Sequence, residues 1–493
     1  MPRRRRKLSS LDRREFLQAA AGTGAVLQLL GPLPVAAAIA TSPAVHQATG
    51  VKVGEVTESS ARIWTRLTKS PGRNDAGKLY PGKVKKGQRI TVDVPVSEIE
   101  GACPGLKGKI RVRYGAGMSL TAREPTTEWV EVDAATDFSH QFVLPSLQPD
   151  TKYAYAVETV GDDGAVHGEF RGTFKTAPRA DAASNLKFCV MTCQGYADRD
   201  GADGHPIYPA MQKLAPHFIA MTGDLVYYDS DEPRAVSEDL ARLHWERMFS
   251  LPRLVECLRN SASYWLKDDH DTVTNDSWPG RKEGWLTFAA GQQIFREQVP
   301  LGDLGYRTFR WGRDLQIWLT DGRDFRSPNT DADGPEKTIW GAEQKAWFKR
   351  TVKESDATWK VLISPTPLVG PDRKNKKDNH SNEGFKHEGD EIRSWLHANV
   401  PESFFVVCGD RHWQYHSVHP ETGVREFSVG PASNSHAGGT PGEDPHYHKF
   451  HRVKGGFLSV TLEGDAQQSA ITFRHHDVDG AVVHEYAAKR GVT

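Results

Sequence analysis

Four short apolar runs along this chain are each followed by residue types that bind metals. They lie at 187–194, 217–229, 264–271 and 404–412 and read KFCVMTCQ, HFIAMTGDLVYYD, YWLKDDHD and FFVVCGDRH. Continuous apolar runs of this length are typical of strands in a parallel sheet, where both faces are covered. Ligands in open α/β sheets bind just beyond the carboxyl ends of such strands. The pattern therefore predicts that the polar residues after the four runs meet at one point.

Between and after these runs the hydrophobic period changes to that of helices. The segment 237–258 begins with a serine suited to capping a helix and continues with apolar residues such as Leu240 at helical spacing. The segment 338–353 shows the same spacing around Trp347. Alternation of strands and helices predicts an α/β fold over residues 185–490, with central β-sheets flanked by helices.

The part of the chain before these runs has a different pattern. Residues 48–178 show short alternating strands, for example at 53–67 and 141–161, broken by turn residues, and predict a fibronectin-like β-sandwich domain. Within it, the stretch 72–108 is rich in Lys, Gly and Pro and is predicted to be a long loop. The last segment, 455–483, returns to a hairpin pattern and is expected at an edge of the second domain.

Asp224 is the central candidate for chemistry. It follows an apolar run and Gly223, so its carboxylate is expected at a strand end, where two oxygens can bridge two cations. Bridged cations about 3.5 to 4 Å apart can activate water and stabilise a leaving oxygen together. A single Asp after a strand is compatible with an ordinary turn residue, but metal-binding types after all four runs favour a two-metal hydrolase.

The remaining candidate ligands divide by chemical softness. Cys193 offers a thiolate and Tyr227 a phenolate, and together they favour a transition metal such as ferric iron. Carboxylates favour calcium, magnesium or manganese, and Asp269 and Asp410 supply them. His412 adds an imidazole. The donor set predicts a mixed-metal pair.

Two further residues are candidates for contact with substrate. His270 is adjacent to a predicted ligand, and a protonated imidazole there could stabilise a phosphoryl oxygen or protonate a departing alkoxide. Arg323 follows another apolar run and offers a planar fork of donors suited to phosphate oxygens. Arg326, three residues later, is expected to have a structural role.

Charge along the chain points to export and away from nucleic acid. The chain holds 63 Lys and Arg and 63 Asp and Glu, but seven of the basic residues and two of the acidic ones lie in residues 1–40. The rest is slightly acidic, which gives no general attraction to nucleic acid. Residues 1–40 show a basic start, a mildly apolar stretch and small residues at the end, as in a signal peptide. They resemble a twin-arginine signal, with Arg13 and Arg14 as the pair.

At these residues the chain resembles the alkaline phosphatase D (PhoD-like) family of calcineurin-type metallophosphatases, over about residues 50–485. The matching motifs are Thr192-Cys193-Gln194, Gly223-Asp224-Leu225-Val226-Tyr227, Asp268-Asp269-His270-Asp271, Asp321-Gly322-Arg323-Asp324-Phe325-Arg326 and Gly409-Asp410-Arg411-His412. The resemblance implies hydrolysis of phosphate esters with Fe³⁺ and Ca²⁺ in a binuclear or larger centre, and export by the twin-arginine machinery.

The chain departs from the family's pattern beside the presumed ligands. Asp271 replaces the usual Glu, Gly322 and Phe325 replace Thr and Tyr, and Asn275 alone represents a pair of Asn residues. Changes around ligands affect their orientation and the choice of substrate more than the identity of the metal site.

We therefore expect an exported metal-dependent phosphoesterase that hydrolyses phosphate monoesters, with diesters as a further substrate class, by attack of a metal-bound hydroxide on phosphorus. Arg323 would neutralise charge and His270 would assist the leaving group. The expected iron ligands are Cys193, Asp224, Tyr227 and His412, and the expected calcium ligands are Asp224, Asp269 and Asp410.

Two alternatives remain open on sequence grounds. A phospholipase D-like phosphodiesterase could use the same ligands on a phospholipid, because the shape of the pocket rather than the metal site separates monoesters from diesters. A non-catalytic exported binding protein could keep the fold with a degenerate site. The sequence does not indicate an oligomeric state.

Overall fold

Two large β-sheets pack against each other at the centre of the structure. This computed structural model describes residues 44–85, 88–161, 164–303 and 305–491, which belong to one compact unit, Ser42–Thr493. The predicted signal peptide, residues 1–40, lies outside the described residues.

Strands make up most of the regular structure and are numbered in chain order. They are β1 (Val51–Gly54), β2 (Ala61–Arg66), β3 (Gly108–Ala116), β4 (Val130–Val132), β5 (Ser139–Leu144), β6 (Lys152–Val160), β7 (Val166–Lys175), β8 (Asn185–Met191), β9 (Phe218–Thr222), β10 (Ala262–Leu266), β11 (Lys282–Glu283), β12 (Leu286–Thr287), β13 (Arg307–Trp311), β14 (Leu315–Leu319), β15 (Trp359–Ser364), β16 (Phe404–Cys408), β17 (Gln414–Val418), β18 (Arg425–Ser428), β19 (His448–Arg452), β20 (Gly456–Gly464), β21 (Gln468–Asp477) and β22 (Val482–Gly491). The α-helices are α1 (Ile207–Lys213), α2 (Glu238–Phe249), α3 (Pro252–Arg259), α4 (Phe288–Gln298), α5 (Gly341–Glu354) and α6 (Lys386–Asn399).

The first sheet carries three of the four apolar runs as adjacent parallel strands. Within the described residues its order is β22-β21-β20-β8-β9-β10-β1-β2-β5, and β9 lies parallel to both β8 and β10. Neighbouring parallel strands end at the same edge of a sheet, so the polar residues after these three strands lie side by side. The C-terminal strands β20, β21 and β22 run antiparallel and end at one edge of this sheet, in agreement with the hairpin predicted for 455–483.

The second sheet carries the fourth run, β16. In the described part of the chain its order is β13-β14-β15-β16-β18-β17-β19, with β14, β15, β16 and β18 parallel. The two sheets share one core, in which the rings of Phe218 and Trp311 have centroids 4.9 Å apart and those of Phe405 and Phe473 also 4.9 Å. Burial of these aromatic side chains between the sheets is a large part of what holds the sheets together.

Helices cover the outer faces of both sheets. Apolar residues of α1, α2, α3 and α4 pack with the outer face of the first sheet, including Met221 of β9 and Trp265 of β10. Phe348 of α5 and Ile392 of α6 pack with Leu362 of β15 and the outer face of the second sheet. This layered arrangement of sheets flanked by helices confirms the predicted α/β fold class.

The N-terminal segment contributes strands to the same first sheet. β1 lies parallel to β10, with Val53 opposite Ala262, and β2 and β5 extend the sheet beyond it. β4, β3, β6 and β7 form a separate four-stranded sheet, and the described residues of the stretch 72–108 are mostly outside strands, as predicted. The separation of residues 48–178 as a sandwich domain stays a prediction, because strands from this segment continue the sheet of the following one.

The helix predicted over 237–258 is in fact two helices. α2 begins after Ser237, whose side chain accepts a hydrogen bond from the N–H of Leu240, as expected for a capping serine. Pro252 then starts α3, because proline lacks the N–H that would continue α2 and fits the first turn of a new helix. The helix predicted over 338–353 is α5 and begins at Gly341.

Among the described residues, no helix combines the length and the apolar character needed to cross a bilayer.

Candidate metal centre

The carboxyl ends of β8, β9 and β16 meet where the two sheets adjoin. Thr192, just after β8, forms a parallel bridge with Pro431, which follows β18 of the other sheet. A Cβ atom added to Gly409, just after β16, would lie 2.7 to 2.8 Å from atoms of Thr192 and Thr222. Only glycine fits this close approach of three strand ends. Residues from both sheets therefore face one site.

Three candidate ligands share the same unusual backbone conformation. Cys193, Asp224 and Asp410 each stand two residues after the end of their strand, and their φ angles are 51°, 55° and 62°. Non-glycine residues adopt positive φ uncommonly, at a cost of about 1 to 3 kcal/mol each, and such residues concentrate at functional sites. The repeated turn places all three side chains in the junction between the sheets.

The structure brings the four expected iron ligands together. Cys193 Sγ lies 3.5 Å from Asp224 Oδ2, and the hydroxyl of Tyr227 donates to the same Asp224 oxygen at 3.2 Å. The Tyr227 hydroxyl is also 3.3 Å from His412 Nε2. Ligand atoms of Cys193, Asp224 and His412 all lie within 4.8 Å of one another, a spacing that one metal ion could span.

Asp224 also belongs to two groups of harder donors. Its carboxylate lies within 4.8 Å of ligand atoms of Asp268 and Asp410, and within the same limit of Asp269 and His270. The candidate ligand Asp269 therefore shares a group with His270, and the candidate ligand Asp410 shares one with Asp268. The sequence interpretation gave no role to Asp268. Asp224 is the member common to all three groups, as expected for a bridging ligand.

Two carboxylate oxygens of this cluster show that the residues fit a metal. Asp224 Oδ1 and Asp268 Oδ2 are buried and have no hydrogen-bond donor within the described parts of the chain. A buried anionic oxygen without a partner is costly, and a bound cation supplies the missing partner. These orphaned oxygens, together with the thiol, phenol and imidazole beside them, make the site suitable for a metal centre.

Burial sets the protonation of these groups in the absence of a cation. Burial, followed by the charge of Asp269, raises the pKa of Asp224 to about 8. Burial and the Asp224 carboxylate raise the pKa values of Cys193 and Tyr227 well above their ordinary values. Burial lowers the pKa of His412 well below its usual range, which keeps the imidazole in its neutral, metal-binding form. A cation in the cluster would reverse the shifts of the acids, because metal binding releases their protons.

Arg323 is already engaged by acidic partners. It is fully buried, its Nε donates to Asp268 Oδ1, and its Nη1 donates to the carbonyl of Ser277 at 3.3 Å. Nη2 lies 3.7 Å from Asp269 Oδ2 and has no hydrogen-bond partner in the described chain. Arg323 therefore positions the Asp268–Asp269 pair, and Nη2 is its guanidinium nitrogen without a hydrogen-bond partner among the described residues.

His270 is held by a carboxylate on the side away from the cluster. Its Nδ1 lies 2.5 Å from Asp229 Oδ1, and Asp229 also accepts hydrogen bonds from Thr274 Oγ1 and from the N–H of Asn275. Burial lowers the pKa of His270, but Asp229 and Asp269 outweigh it and hold that pKa well above the ordinary value. The imidazolium form is favoured, with Nε2–H free of the Asp229 contact.

The departures from the resembled pattern have different consequences. Asp271 is buried and accepts hydrogen bonds from the N–H groups of Leu225 and Asp268, so it ties the turn after β9 to the turn after β10. Phe325 is 43% exposed and packs edge-on against Tyr306, away from the ligand atoms. Asp271 thus shapes the ligand turns, whereas Phe325 lies at the surface.

The structure adds residues to which the sequence interpretation gave no role. His436 Nε2 lies 3.0 Å from the Tyr227 hydroxyl and 3.2 Å from His412 Nε2, and His436 Nδ1 pairs with Asp198. His436 and Asp198 lie in irregular segments with no local hydrophobic period, so no sequence signal pointed to them. Asp229 stands at the end of the second apolar run, and only its contact with His270 reveals its position.

Comparison with solved structures identifies the fold. A structure described as that of PhoD matches over 92% of this chain and 93% of its own, with a TM-score of 0.68 and 17% sequence identity. A purple acid phosphatase from yellow lupin (Lupinus luteus) seeds matches over 89% of this chain and 73% of its own, with a TM-score of 0.58 and 13% identity. These likenesses show that the chain shares the fold of both structures.

Comparison of sequences identifies the family. A family model described as PhoD-like phosphatase matches residues 188–456, which is more than half of the chain. Alkaline phosphatase D of Bacillus subtilis (strain 168) is 23% identical over 467 residues, covering 82% of this chain and 72% of that protein. The chain belongs to the PhoD-like phosphatase family, as the motifs predicted.

Replacement of Asp224 tests its bridging position. In Asp224→Asn the amide tolerates the same positive φ but lacks the negative charge. We therefore expect bound metal and phosphatase activity each to fall by about 100-fold or more. Loss of a residue that only supports a metal ligand already weakens metal affinity by about 10- to 100-fold. Asp150→Asn is the matched control, because Asp150 also has positive φ (50°) but pairs with Lys175 at the surface. Metal analysis and steady-state rates on the same preparations measure both; normal metal content in Asp224→Asn would contradict the assignment.

Proposed function

We propose that this phosphatase is an exported, metal-dependent enzyme that hydrolyses phosphate monoesters at the junction of its two sheets. The observation that carries the proposal is the buried acidic cluster, in which Asp224 Oδ1 and Asp268 Oδ2 have no hydrogen-bond partner among the described residues. To bury such oxygens in ionised form without a cation costs several kcal/mol per ion. Family membership supplies the reaction class, and the cluster supports its dependence on metal.

The donor types support a mixed centre of Fe³⁺ and Ca²⁺. Cys193, Tyr227 and His412 offer the thiolate, phenolate and imidazole that suit iron, and the carboxylates of Asp269 and Asp410 suit calcium. Asp224 lies between the two sets and would serve both. Asp268 lies close enough to take part on the calcium side, although one of its oxygens is already held by Arg323. Bound cations would supply charge neutralisation for the phosphoryl group and a nucleophile at neutral pH.

His270 is proposed to protonate the leaving oxygen. Its Nδ1–H is taken by Asp229, which fixes the ring and leaves the Nε2–H available. The ring lies 4.4 Å from that of Tyr227, centroid to centroid, and its side chain is 12% exposed, so it stands at the edge of the cluster that substrate can reach. This position suits a general acid that meets the ester oxygen as it departs.

Arg323 is proposed to act mainly by holding acids in place. Its pairing with Asp268 and Asp269 fixes the carboxylates that face Asp224 and reduces their mutual repulsion. Nη2 is the guanidinium nitrogen of Arg323 that could also reach a phosphoryl oxygen.

A panel of esters with and without metal tests the reaction. We expect purified protein to hydrolyse p-nitrophenyl phosphate faster, in kcat/KM, than bis(p-nitrophenyl) phosphate or a phosphatidylcholine vesicle. Removal of metal by a chelator should abolish the activity, and iron and calcium together should restore it better than either alone. Preference for the diester or the vesicle would favour the phospholipase D-like alternative, and activity that survives complete metal removal would refute the metal-dependent proposal.

Leaving groups of different basicity test His270. A nitrophenolate departs without a proton, whereas an alkoxide needs one, so His270→Gln should lose about 10²- to 10⁴-fold on an alkyl phosphate and much less on p-nitrophenyl phosphate. Asp229→Asn should shift the same ratio in the same direction, because it loosens the ring without removing it. Steady-state kcat/KM on the two esters measures the ratio. Equal losses on both esters would show that His270 binds substrate or metal instead.

We further propose that residues 48–178 act as an N-terminal domain and residues 185–490 as a catalytic domain, and that residues 1–40 are a twin-arginine signal.

The arginine pair tests the signal. In the full chain, Arg13→Lys with Arg14→Lys should leave the protein inside the cell, since this export route reads the arginine pair. Arg3→Lys with Arg4→Lys keeps the charge and the basic start and should be exported normally. Phosphatase activity in separated cell fractions measures the outcome; export of the first double variant would contradict the route.

A further inference from the structure

We propose that His436 is an additional ligand of the ion held by Cys193, Tyr227 and His412, and that Asp198 positions it. The inference rests on the proposed metal centre and adds to it a residue outside the motifs that define the family resemblance. It follows from three features of the structure: the distances among donor atoms, the kinds of atom that face one another, and the attachment of the loop that carries His436.

The donor atoms are spaced as ligands of one ion are spaced. His436 Nε2 lies 3.0 Å from the Tyr227 hydroxyl and 3.2 Å from His412 Nε2, and the last two atoms are 3.3 Å apart. Neighbouring donors on an ion with bonds of about 2.1 Å lie about 3 Å apart when they meet at right angles. The three atoms therefore form one face of a coordination shell.

The atoms that meet at these contacts are all potential metal ligands. Nδ1 of His436 contacts Asp198, so Nε2 is the ring nitrogen that faces Tyr227 and His412. The hydroxyl of Tyr227 has a single hydrogen but faces Asp224, His412 and His436. One cation could bind the oxygen of Tyr227 and the two imidazole nitrogens together.

The loop that carries His436 is fastened to the other ligands. The N–H of Ala432 donates to the carbonyl of Cys193 at 3.2 Å, and the N–H of Gly438 donates to the carbonyl of His412 at 3.0 Å. Between them, Ser435 Oγ donates to the carbonyl of Asp198 at 2.6 Å. The side chain of His436 is 6% exposed. These loop contacts hold the imidazole in place independently of a metal, as expected for a metal ligand that the fold positions.

A residue from the N-terminal segment completes the support. Lys83, in the long loop 72–108, pairs with the same Asp198 oxygen that His436 contacts. The lysine and the imidazole hold the Asp198 carboxylate from two sides, and His436 and Lys83 lower its pKa to about 2 although burial raises it. The series Lys83, Asp198, His436 connects the N-terminal loop to the ligand cluster.

The added imidazole changes the chemistry of the site. With it, the donors of this ion are one thiolate, one phenolate, one carboxylate and two imidazoles. Such a set selects a transition metal over calcium or magnesium, which prefer oxygen donors. His436 therefore strengthens iron binding on this side of Asp224.

Iron binding by variants of the full chain tests the inference. Metal-depleted protein is titrated with iron, and iron per chain is measured together with the visible absorption that a phenolate gives on ferric iron. His436→Ala should bind iron about 10- to 100-fold more weakly and shift the absorption, and added imidazole should restore both. Asp198→Asn keeps the ring but replaces its anionic acceptor with a neutral amide oxygen, and it should weaken binding in the same range. His446→Gln is the control, because His446 is exposed and its side chain is outside the cluster.

The outcomes separate this inference from the proposed metal centre. If wild-type protein binds iron and His436→Ala binds it equally tightly with the same absorption, His436 is not a ligand and the metal centre stands without it. If wild-type protein binds no iron, both ideas fail. If His436→Ala does not fold, Asp198→Asn decides: unchanged affinity and absorption in that variant overturn the inference, and weakened binding supports it.

Discussion

The constraint on which the structure depends is the negative charge buried between two sheets. Asp224, Asp268 and Asp269 are almost fully removed from solvent and lie close to one another. Burial, followed by the charge of Asp269, raises the pKa of Asp224, so the cluster resists carrying all of its negative charge. Arg323 offsets part of this charge, but it leaves oxygens without partners among the described residues. Metal ions are suited to neutralise the remaining charge, and the rest of the site is arranged around the place where they would bind.

The strained turns after the strands bring the candidate ligands to the place where a cation would neutralise the buried charge. A side chain placed two residues after a strand, with positive φ, projects from a rigid support into the junction, as those of Cys193, Asp224 and Asp410 all do. Gly409 allows the two sheets to come close together, so that candidate ligands from both face one site. Backbone strain of about 1 to 3 kcal/mol per residue is tolerated because the stabilisation from burial of the two-sheet core is much larger.

The side chain of Tyr227 contacts two imidazoles, and an Asp carboxylate holds each of them at Nδ1. His270 is held at Nδ1 by Asp229 and His436 at Nδ1 by Asp198, and the two rings lie 4.4 and 4.9 Å from the Tyr227 ring. A carboxylate behind each ring fixes its orientation and its proton. Their surroundings differ, since several acids face His270, whereas Tyr227 and His412 face His436. In our proposals, the same pairing supports a proton donor at His270 and a metal ligand at His436.

The sequence by itself determined the strands and the residues at their ends. Apolar runs specify buried parallel strands through local burial, and parallel strands end at one edge, so the pattern alone was enough to place Cys193, Asp224 and Asp269 together. Only the tertiary structure decided that strands of the N-terminal segment extend the first sheet, and that Asp198 and His436 join the site. His436 contacts Tyr227 across 209 residues of chain and Asp198 across 238. No local period records such contacts, because they arise from how two sheets and their loops pack rather than from the conformation of any one segment.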